Sequence, residues 1–170
     1  MTTAPLTSTC KIPLSHPARF IASDTMLAGL QSVLVDLIEL NLQAKQAHWN
    51  VIGPNFHDVH RHLDLIVSAA RDAADGVAER MRAVGGIPDG VSSTVADTTG
   101  LRAYPRGEVT TRATIDLISD RIYATVANMR ALQPAVAEED PVSADLLNGT
   151  IAQFEQHAWL LSSENRTPNA

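Results

Sequence analysis

The chain has 170 residues, of which 45% are hydrophobic and only 4% aromatic, and its formal net charge is −6. This length suffices for one compact domain, and the aliphatic composition suits packed helices better than a β-sandwich. The acidic balance argues against unaided binding of nucleic acid, whose phosphates need Lys and Arg. Cys10 is the only cysteine, so we expect no intrachain disulfide, no thiolate cluster and a reducing cytoplasm as the compartment.

The two ends of the chain are predicted to lie outside the folded domain. Residues 1–22 are expected to form a flexible tail, rich in Thr and Ser, with Pro5, Pro13 and Pro17. They lack the basic region and the apolar run of a signal peptide. We expect the folded domain to span residues 23–165, followed by a short polar tail over residues 166–170.

The first predicted helix begins at Ser23 or Asp24, both of which are good helix caps. One face follows alternating steps of three and four residues, the period of a helix. That face carries Leu27, Leu30, Leu34, Leu37, Asn41, Ala44 and His48. No apolar run here approaches a membrane span, because charges interrupt it at Asp36, Glu39 and Lys45. Gly53-Pro54-Asn55 ends the helix and leaves His48 at the end of a face turned to the core or an interface.

A second helix is predicted over residues 55–84. Its apolar face carries Leu63, Ile66, Ala70, Ala73, Val77, Met81 and Val84. A neighbouring sector beside the core carries His60, Asp64, Asp75 and Glu79. The run Gly85-Gly86-Ile87-Pro88 ends this helix. The connection over residues 85–108 is long enough to need structure or function of its own, and residues 93–99 are expected to form a short helix.

Two more helices follow the long connection. The third is predicted over residues 109–137, and the fourth begins near Asp140-Pro141, an N-cap followed by proline at the first helical position. Their apolar positions recur at helical spacing, at Ile115, Ile118, Ile122, Val126, Met129, Leu132 and Val136, and at Leu147, Ile151, Phe154, Ala158 and Leu161. Four long amphipathic helices with a long second connection predict an all-α four-helix bundle.

Two turns of the second helix carry candidate metal ligands. Residues four apart share a helix face, so His60 pairs with Asp64, and Asp75 pairs with Glu79. Since 75 − 64 = 11 residues is about three turns, both pairs point the same way, about 16 Å apart along the axis. A metal–ligand bond is only about 2 Å long, so one chain cannot bring both pairs to one metal. A second, antiparallel copy of the helix would join them at a symmetric subunit interface.

Each of these residues also has a simpler interpretation. A lone helical histidine is more often structural than ligating, and two acids four residues apart usually form a solvated face because like charges repel. The combination favours a metal site, since both pairs occupy one sector and His48 ends the preceding face. Imidazoles with carboxylates suit Fe(II) and also bind Zn(II), Mn(II) or Co(II).

The other histidines and one absent motif complete this interpretation. His57 is a candidate accessory ligand, although a solvated surface position is the simpler interpretation. His62 is expected to point elsewhere, and His16 and His157 have no visible partners. Iron-carboxylate bundles with an intrachain site use Glu-x-x-His on two helices. This chain contains no Glu-x-x-His, so we expect no di-iron centre inside the bundle.

A longer pattern around these ligands carries a family resemblance. It reads Lys45-Gln46-Ala47-His48-Trp49-Asn50-Val51-x-Gly53-Pro54-Asn55-Phe56, then His60-x-x-x-Asp64, Asp75, Ala78-Glu79-Arg80 and Gly85-Gly86-x-Pro88. With this pattern, and with helices over about residues 20–165, the chain resembles the Dps family, mini-ferritins called DNA-binding proteins from starved cells. The resemblance implies a ferritin-like four-helix bundle, with a short extra helix between helices 2 and 3, assembled into a hollow shell of twelve subunits.

The resemblance also implies ferroxidase sites at two-fold interfaces. His48, His60 and Asp64 of one subunit would meet Asp75 and Glu79 contributed by its partner. Trp49 would lie beside the site, or pack as a core or interface aromatic. Fe(II) would be oxidised to Fe(III), with hydrogen peroxide as the preferred oxidant, and stored as a mineral that protects the cell from oxidative damage. Zn²⁺ or other divalent metals would occupy the same sites.

Pores and DNA binding are two further points of the resemblance. Acids near the start of the fourth helix line three-fold pores in the family, so Asp140 and Asp145 are candidate pore residues, although Asp140 is also a good N-cap. Members that bind DNA carry a Lys-rich tail, whereas residues 1–22 here hold only Lys11 and Arg19. We therefore expect weak or absent DNA binding at physiological salt, in a cytoplasmic protein that is at most associated with the nucleoid.

Two other functions fit parts of the sequence. A mononuclear oxygenase would use His48, His60 and an acid as a facial triad, but nothing points to an enclosed pocket for an organic substrate. A purely structural helical assembly would retain the ligands without activity. The mass of the assembly, and its reaction with iron and peroxide, separate these alternatives.

Overall fold

The computed structural model describes residues 20–167 of the chain, which form five helices and two very short strands. The helices are α1 (Asp24–Asn50), α2 (Phe56–Ala83), α3 (Ser92–Thr98), α4 (Thr111–Glu139) and α5 (Pro141–Ser163). Strand β1 (Val51–Ile52) follows α1, and strand β2 (Val109–Thr110) precedes α4. This confirms the predicted four-helix bundle with a short extra helix in the connection after α2. Cys10, Lys11, His16 and Arg19 lie outside the described residues.

Side-chain caps set the starts of three long helices. Ser23, rather than Asp24, is the N-cap of α1, and its Oγ accepts a hydrogen bond from the Met26 amide. Thr110 caps α4 in the same way, and Asp140 caps α5 ahead of Pro141, as predicted. Such caps satisfy amides that have no partner within the helix. Helix α2 begins differently, after Asn55 in the left-handed conformation with φ +57°.

The core lies between the four long helices and is almost entirely aliphatic. The predicted apolar faces supply it, and the largest fully buried side chains include Leu37, Leu63, Ile118, Met129 and Phe154. By length and composition α1 is apolar enough to cross a membrane. The expectation that no apolar run approaches a membrane span was therefore wrong. In the bundle, the apolar face of α1 forms part of this core, packed against α2 and α4.

The connection from α2 to α4 returns along the whole bundle. The Ala22 amide bonds to the Val84 carbonyl at 2.9 Å, so α1 and α2 run antiparallel. Val51 pairs with Val109 in a parallel register, which brings the start of α4 beside the end of α1. Helices α2 and α4 are therefore parallel, and the connection spans the length of α2, whose 28 residues measure about 42 Å. The β1–β2 pairing was not predicted.

Asp36 holds the part of this connection that follows α3. It is buried on α1, 4% exposed. Its Oδ1 accepts hydrogen bonds from the Gly100 amide at 2.8 Å and from Thr99 Oγ1 at 3.1 Å, and its Oδ2 accepts one from Asn128 Nδ2 at 2.8 Å. A buried carboxylate must have such partners. The charge that interrupts the apolar run of α1 thus ties α1, the connection and α4 together.

Candidate metal centre

His48 and His60 face each other across the corner between α1 and α2. Nδ1 of each ring donates a hydrogen bond to the main-chain oxygen of the other residue, both at 2.9 Å. The rings stack, with centroids 3.6 Å apart. With each Nδ1–H used on a carbonyl, the neutral tautomer of each ring has its lone pair on Nε2, which is how a metal-binding imidazole is usually oriented. The two predicted histidine ligands are thus together in one chain.

Asp64 lies beside this histidine pair and is bound to a lysine. Its Oδ1 is 3.4 Å from His48 Nδ1 and 2.6 Å from Lys45 Nζ. The hydrogen bond from Lys45 holds the pKa of Asp64 below its ordinary value, and the neighbouring positive charge adds to this effect. Asp64 is therefore an anion at neutral pH. Lys45 was not among the predicted site residues, although it precedes His48 by three residues and so shares its helix face.

Asp75 and Glu79 lie on the same helix but away from this cluster. Both are exposed, and within residues 20–167 neither side chain has a hydrogen bond or an ion pair. Asp75 lines a surface cavity of about 540 Å³, together with Arg71, Asp72 and apolar side chains such as Ile38. In the described part of the chain, no three His, Cys, Asp or Glu side chains converge closely enough to hold a metal ion.

The aromatic residues near the site lie on its exposed side. Trp49 is 69% exposed, so its interpretation as a core residue was wrong, while its place at an interface stays a prediction. Lys45 Nζ lies 6.0 Å from the centroid of its ring. The Phe56 ring lies 5.0 Å from that of His60, and its edge meets the exposed His57 ring. Phe56 is thus an aromatic neighbour of the histidine pair on the surface.

Glu79 is followed by a residue that fixes the C-terminal half of α2 to α5. Arg80 Nη2 donates to Asp140 Oδ2 at 2.6 Å, and Arg80 Nε donates to Ser143 Oγ at 2.9 Å. Burial alone would raise the pKa of Asp140, but the hydrogen bonds from Ser143 and Arg80 outweigh it and hold the pKa below its usual value. Asp140 is the N-cap of α5 and is buried, whereas Asp145 is exposed. A pore role for either acid stays a prediction.

A second pair of histidines is also formed, which the sequence did not indicate. His157 Nδ1 lies 3.4 Å from His62 Nε2, between α5 and α2. The interpretation that His157 has no partner was therefore wrong, although His62 does turn away from His60, towards α5. Only the three-dimensional structure joins these residues, which are 95 positions apart.

Comparisons with known proteins support the resemblance over most of the chain. Residues 27–167 match the model of the ferritin-like domain. The chain is 35% identical over 146 residues to the fine tangled pili major subunit of Haemophilus ducreyi, which covers 85% of this chain and 77% of that protein. It is 33% identical over 144 residues to the DNA protection during starvation protein of Agrobacterium fabrum, with 84% and 88% covered.

A solved structure gives the same result for the fold. Dps from Microbacterium arborescens in a high-iron form matches this structure with a TM-score of 0.79 and 32% sequence identity, over 85% of this chain and 97% of that one. Sequence and fold therefore agree along the whole bundle, and the protein belongs to the Dps family of ferritin-like proteins.

Proposed function

We propose that this protein oxidises Fe(II) to Fe(III) at sites shared between two subunits, and stores the ferric product inside a hollow shell. The observation that carries the proposal is the His48–His60 pair, whose Nδ1–H groups are both used on carbonyls, with the Asp64 carboxylate beside it. Imidazole and carboxylate together are a ligand set that binds Fe(II). Asp75 and Glu79 supply the remaining acids from the partner subunit.

Each ligand has its own role in the proposed reaction. His48 and His60 bind Fe(II) as neutral imidazoles. Asp64 and Glu79 neutralise charge and are the chelating or bridging groups, and Asp75 binds directly or through water to orient a second iron. Each of two Fe(II) ions gives up one electron, and one hydrogen peroxide takes both electrons and two protons from solvent and becomes two waters, so no hydroxyl radical is released. Carboxylates stabilise Fe(III) over Fe(II), which favours the oxidation.

The proposed assembly follows from the separation of the two ligand pairs. Two chains related by a two-fold axis bury the same surface on each partner. Two copies of α2 running antiparallel would bring His60 and Asp64 of one chain to the partner's Asp75 and Glu79. We propose a cytoplasmic shell of twelve subunits, with Fe(II) passing through pores. Asp145 would line these pores, together with the carboxylate oxygen of Asp140 that Arg80 does not bind. Zn²⁺ and other divalent ions would compete with iron at the same sites.

Removal of the histidine–aspartate half tests this function. The double variant His60→Ala/Asp64→Ala should still assemble but should lose rapid oxidation of Fe(II) by peroxide. The loss should exceed the roughly 10–100-fold effect of removing an outer contact of a metal site. Stopped-flow absorbance of Fe(III) gives the rate, and size-exclusion mass gives the assembly. Asp97→Ala, an exposed acid on α3, is the control. Unchanged oxidation in an intact double variant would exclude the assignment.

The alternative function is a structural assembly without enzymatic activity. It is suggested by the relative from Haemophilus ducreyi, which is named as the major subunit of fine tangled pili. The same two measurements separate the rivals, because an inert assembly has a large mass but does not consume Fe(II) and peroxide. An oxygenase would instead be a small particle. The cavity of about 540 Å³ on α2 is lined by Asp75 rather than by His48, so it does not provide that enzyme's substrate pocket.

We further propose that DNA binding is weak or absent, in contrast to the name of the relative from Agrobacterium fabrum. Each subunit carries a net charge of −6, and the affinity of proteins for DNA comes mainly from Lys and Arg on phosphates. A gel shift at about 0.15 M salt, close to physiological ionic strength, is the test. Retarded DNA at submicromolar protein would contradict the proposal.

A further inference from the structure

We propose that His62 and His157 form a second divalent-metal site, of the kind that binds zinc, between the start of α2 and the end of α5. This site is separate from the proposed ferroxidase site. His62 is two residues from both His60 and Asp64, which turns it to the opposite side of the helix. Its ring faces α5, while His60 faces α1.

The spacing of the two nitrogens carries this proposal. His62 Nε2 and His157 Nδ1 are 3.4 Å apart. A tetrahedral zinc ion with bonds of about 2.0–2.1 Å places two ligand nitrogens about 3.3–3.4 Å apart. The rings meet at 87°, so a small rotation of each would direct both lone pairs to one point beside the line that joins the nitrogens. Without metal, the same nitrogens share one hydrogen-bond proton, which moves to the other nitrogen of its ring on binding.

The surroundings of His62 provide room for water and a nearby negative charge. A cavity of about 80 Å³ adjoins His62 and is also lined by the carboxylate residues Asp58 and Glu164, and a liquid water occupies about 30 Å³. The charge of Glu164 acts on the His62 ring. Glu164 Oε2 accepts only a long hydrogen bond, 3.4 Å, from Asn55 Nδ2. Because no third histidine or acid converges on the two rings within the described residues, two imidazoles and two water molecules would complete a four-coordinate ion.

The contact between the two rings is itself that of potential ligands, because a hydrogen bond between two ring nitrogens needs one of them without a proton. Neutral imidazole is the ligand form. The His62 ring also makes a hydrogen bond with the main chain of His157, and contacts of this kind orient histidine ligands.

Zinc and its neighbours are the ions that suit this site. Nitrogen-rich sites favour Zn²⁺, Ni²⁺ and Cu²⁺ over Fe²⁺, so the site would keep its ion while iron passes through the other site. Its ligands come from the N-terminal part of α2 and the C-terminal part of α5. A bound ion would therefore fasten the end of α5 to the bundle.

Zinc binding to two matched full-length proteins tests the proposal. The background is His60→Ala/Asp64→Ala, which lacks half of each proposed ferroxidase site, and the test protein adds His157→Phe. Phenylalanine keeps an aromatic ring against His62 but has no ligand nitrogen. Equilibrium dialysis with Zn²⁺ at neutral pH should show about one zinc per chain fewer in the test protein, the loss of a single site. Zinc should also raise the thermal midpoint of the background only.

The outcomes are distinct from those of the proposed function, which is measured by iron oxidation. Equal zinc binding in the two proteins, or no zinc binding in the background, would overturn the proposal. His62→Phe replaces His157→Phe if the latter fails to assemble, and it should lose the same zinc equivalent. Glu164→Gln should weaken zinc binding without removing the site, since both imidazoles remain.

Discussion

The two halves of α2 carry similar ligand pairs but are held by different contacts. In the N-terminal half, His60 and Asp64 are fixed to α1 through His48 and Lys45. In the C-terminal half, Asp75 and Glu79 make no side-chain contact of this kind within residues 20–167, and the neighbouring Arg80 ties the helix to α5. One half is thus organised by its own chain, whereas the other leaves two carboxylates exposed on the surface of the chain.

This difference indicates how the work of building a site is divided. Histidines need fixed rotamers and tautomers to bind a metal, and the reciprocal bonds between His48 and His60 provide both. Carboxylates can adjust as the partner arrives, because an exposed side chain still samples its rotamers. The partner subunit would therefore complete a half-site whose imidazoles are already oriented.

Mixed shells of two inactive chains should recover activity. Asp64→Ala lacks the first half-site and Glu79→Ala lacks the second, so shells of either chain alone should be inactive. A two-fold pair that contains one chain of each kind has one intact site and one that lacks both residues. With random pairing after co-expression, about one quarter of the sites should be intact. Stopped-flow oxidation of Fe(II) measures this recovery, and mixed shells without activity would exclude a shared site.

Removal of Asp140 should destabilise the anchor of the C-terminal half. Asp140→Ala removes the N-cap of α5 and the partner of Arg80, so at neutral pH it should lower the free energy of unfolding by about 1–2 kcal/mol. Because folding lowers the pKa of Asp140, its contribution is present above the unfolded value near 3.8 and is lost as the pH falls below it.

Urea unfolding at several pH values checks this prediction. The difference between Asp140→Ala and the parent chain should begin to shrink as the pH falls below about 4, where Asp140 of the unfolded parent becomes protonated, and should reach its minimum below the lowered folded pKa, where Asp140 is protonated in both states. Asp140→Asn is the matched control, because it keeps a capping oxygen and removes the charge. A difference that does not change with pH would mean that the charge of Asp140 contributes nothing.

The exposed acid one turn further along α5 should affect iron uptake rather than stability. Asp145→Asn should slow uptake by about threefold, a modest share of the 10–1000-fold effect that charged channels have on association rates. Oxidation in shells preloaded with Fe(II) should be unchanged. Iron uptake at low and high salt is the measurement, with Asp97→Asn as the control. Equal slowing by both variants would mean that only net charge matters.

Loss of Lys45 should change the N-terminal half least. Lys45→Met removes a cation that competes with iron for Asp64, so Fe(II) should bind more tightly, by about twofold for an exposed ion pair of about 0.4 kcal/mol. The pKa of Asp64 should rise towards its ordinary value, which carbon-detected NMR of the carboxyl group can follow. Weaker iron binding would show instead that Lys45 positions the carboxylate.

The helices and their order could be predicted because the signals are local. Periodic apolar residues, caps such as Asp140-Pro141 and breakers such as Gly53-Pro54 depend on neighbours in the sequence. The position of His48 beside His60 was also within reach, since a short turn joins antiparallel helices. The spacing from Asp64 to Asp75 likewise follows from helix geometry alone.

The contacts that were missed depend on residues far apart in the chain. Arg80 meets Asp140, His62 meets His157, and Val51 pairs with Val109, in each case across more than fifty residues. No local period indicates such partners. Asp36 was seen only as an interruption of an apolar run, because its partners Thr99, Gly100 and Asn128 come from elements that a sequence does not bring together.

The pairing of β1 with β2 has a consequence for when the histidine corner matures. Val51 directly follows the helix that carries His48, and its partner Val109 is 109 − 51 = 58 residues further along the chain. Closing a loop of that length costs entropy and slows formation of the contact. A growing chain that has emerged only as far as α2 would already contain both histidines, but not the strand that secures their corner. The corner that holds the two histidines would thus be secured only after the second half of the bundle has folded.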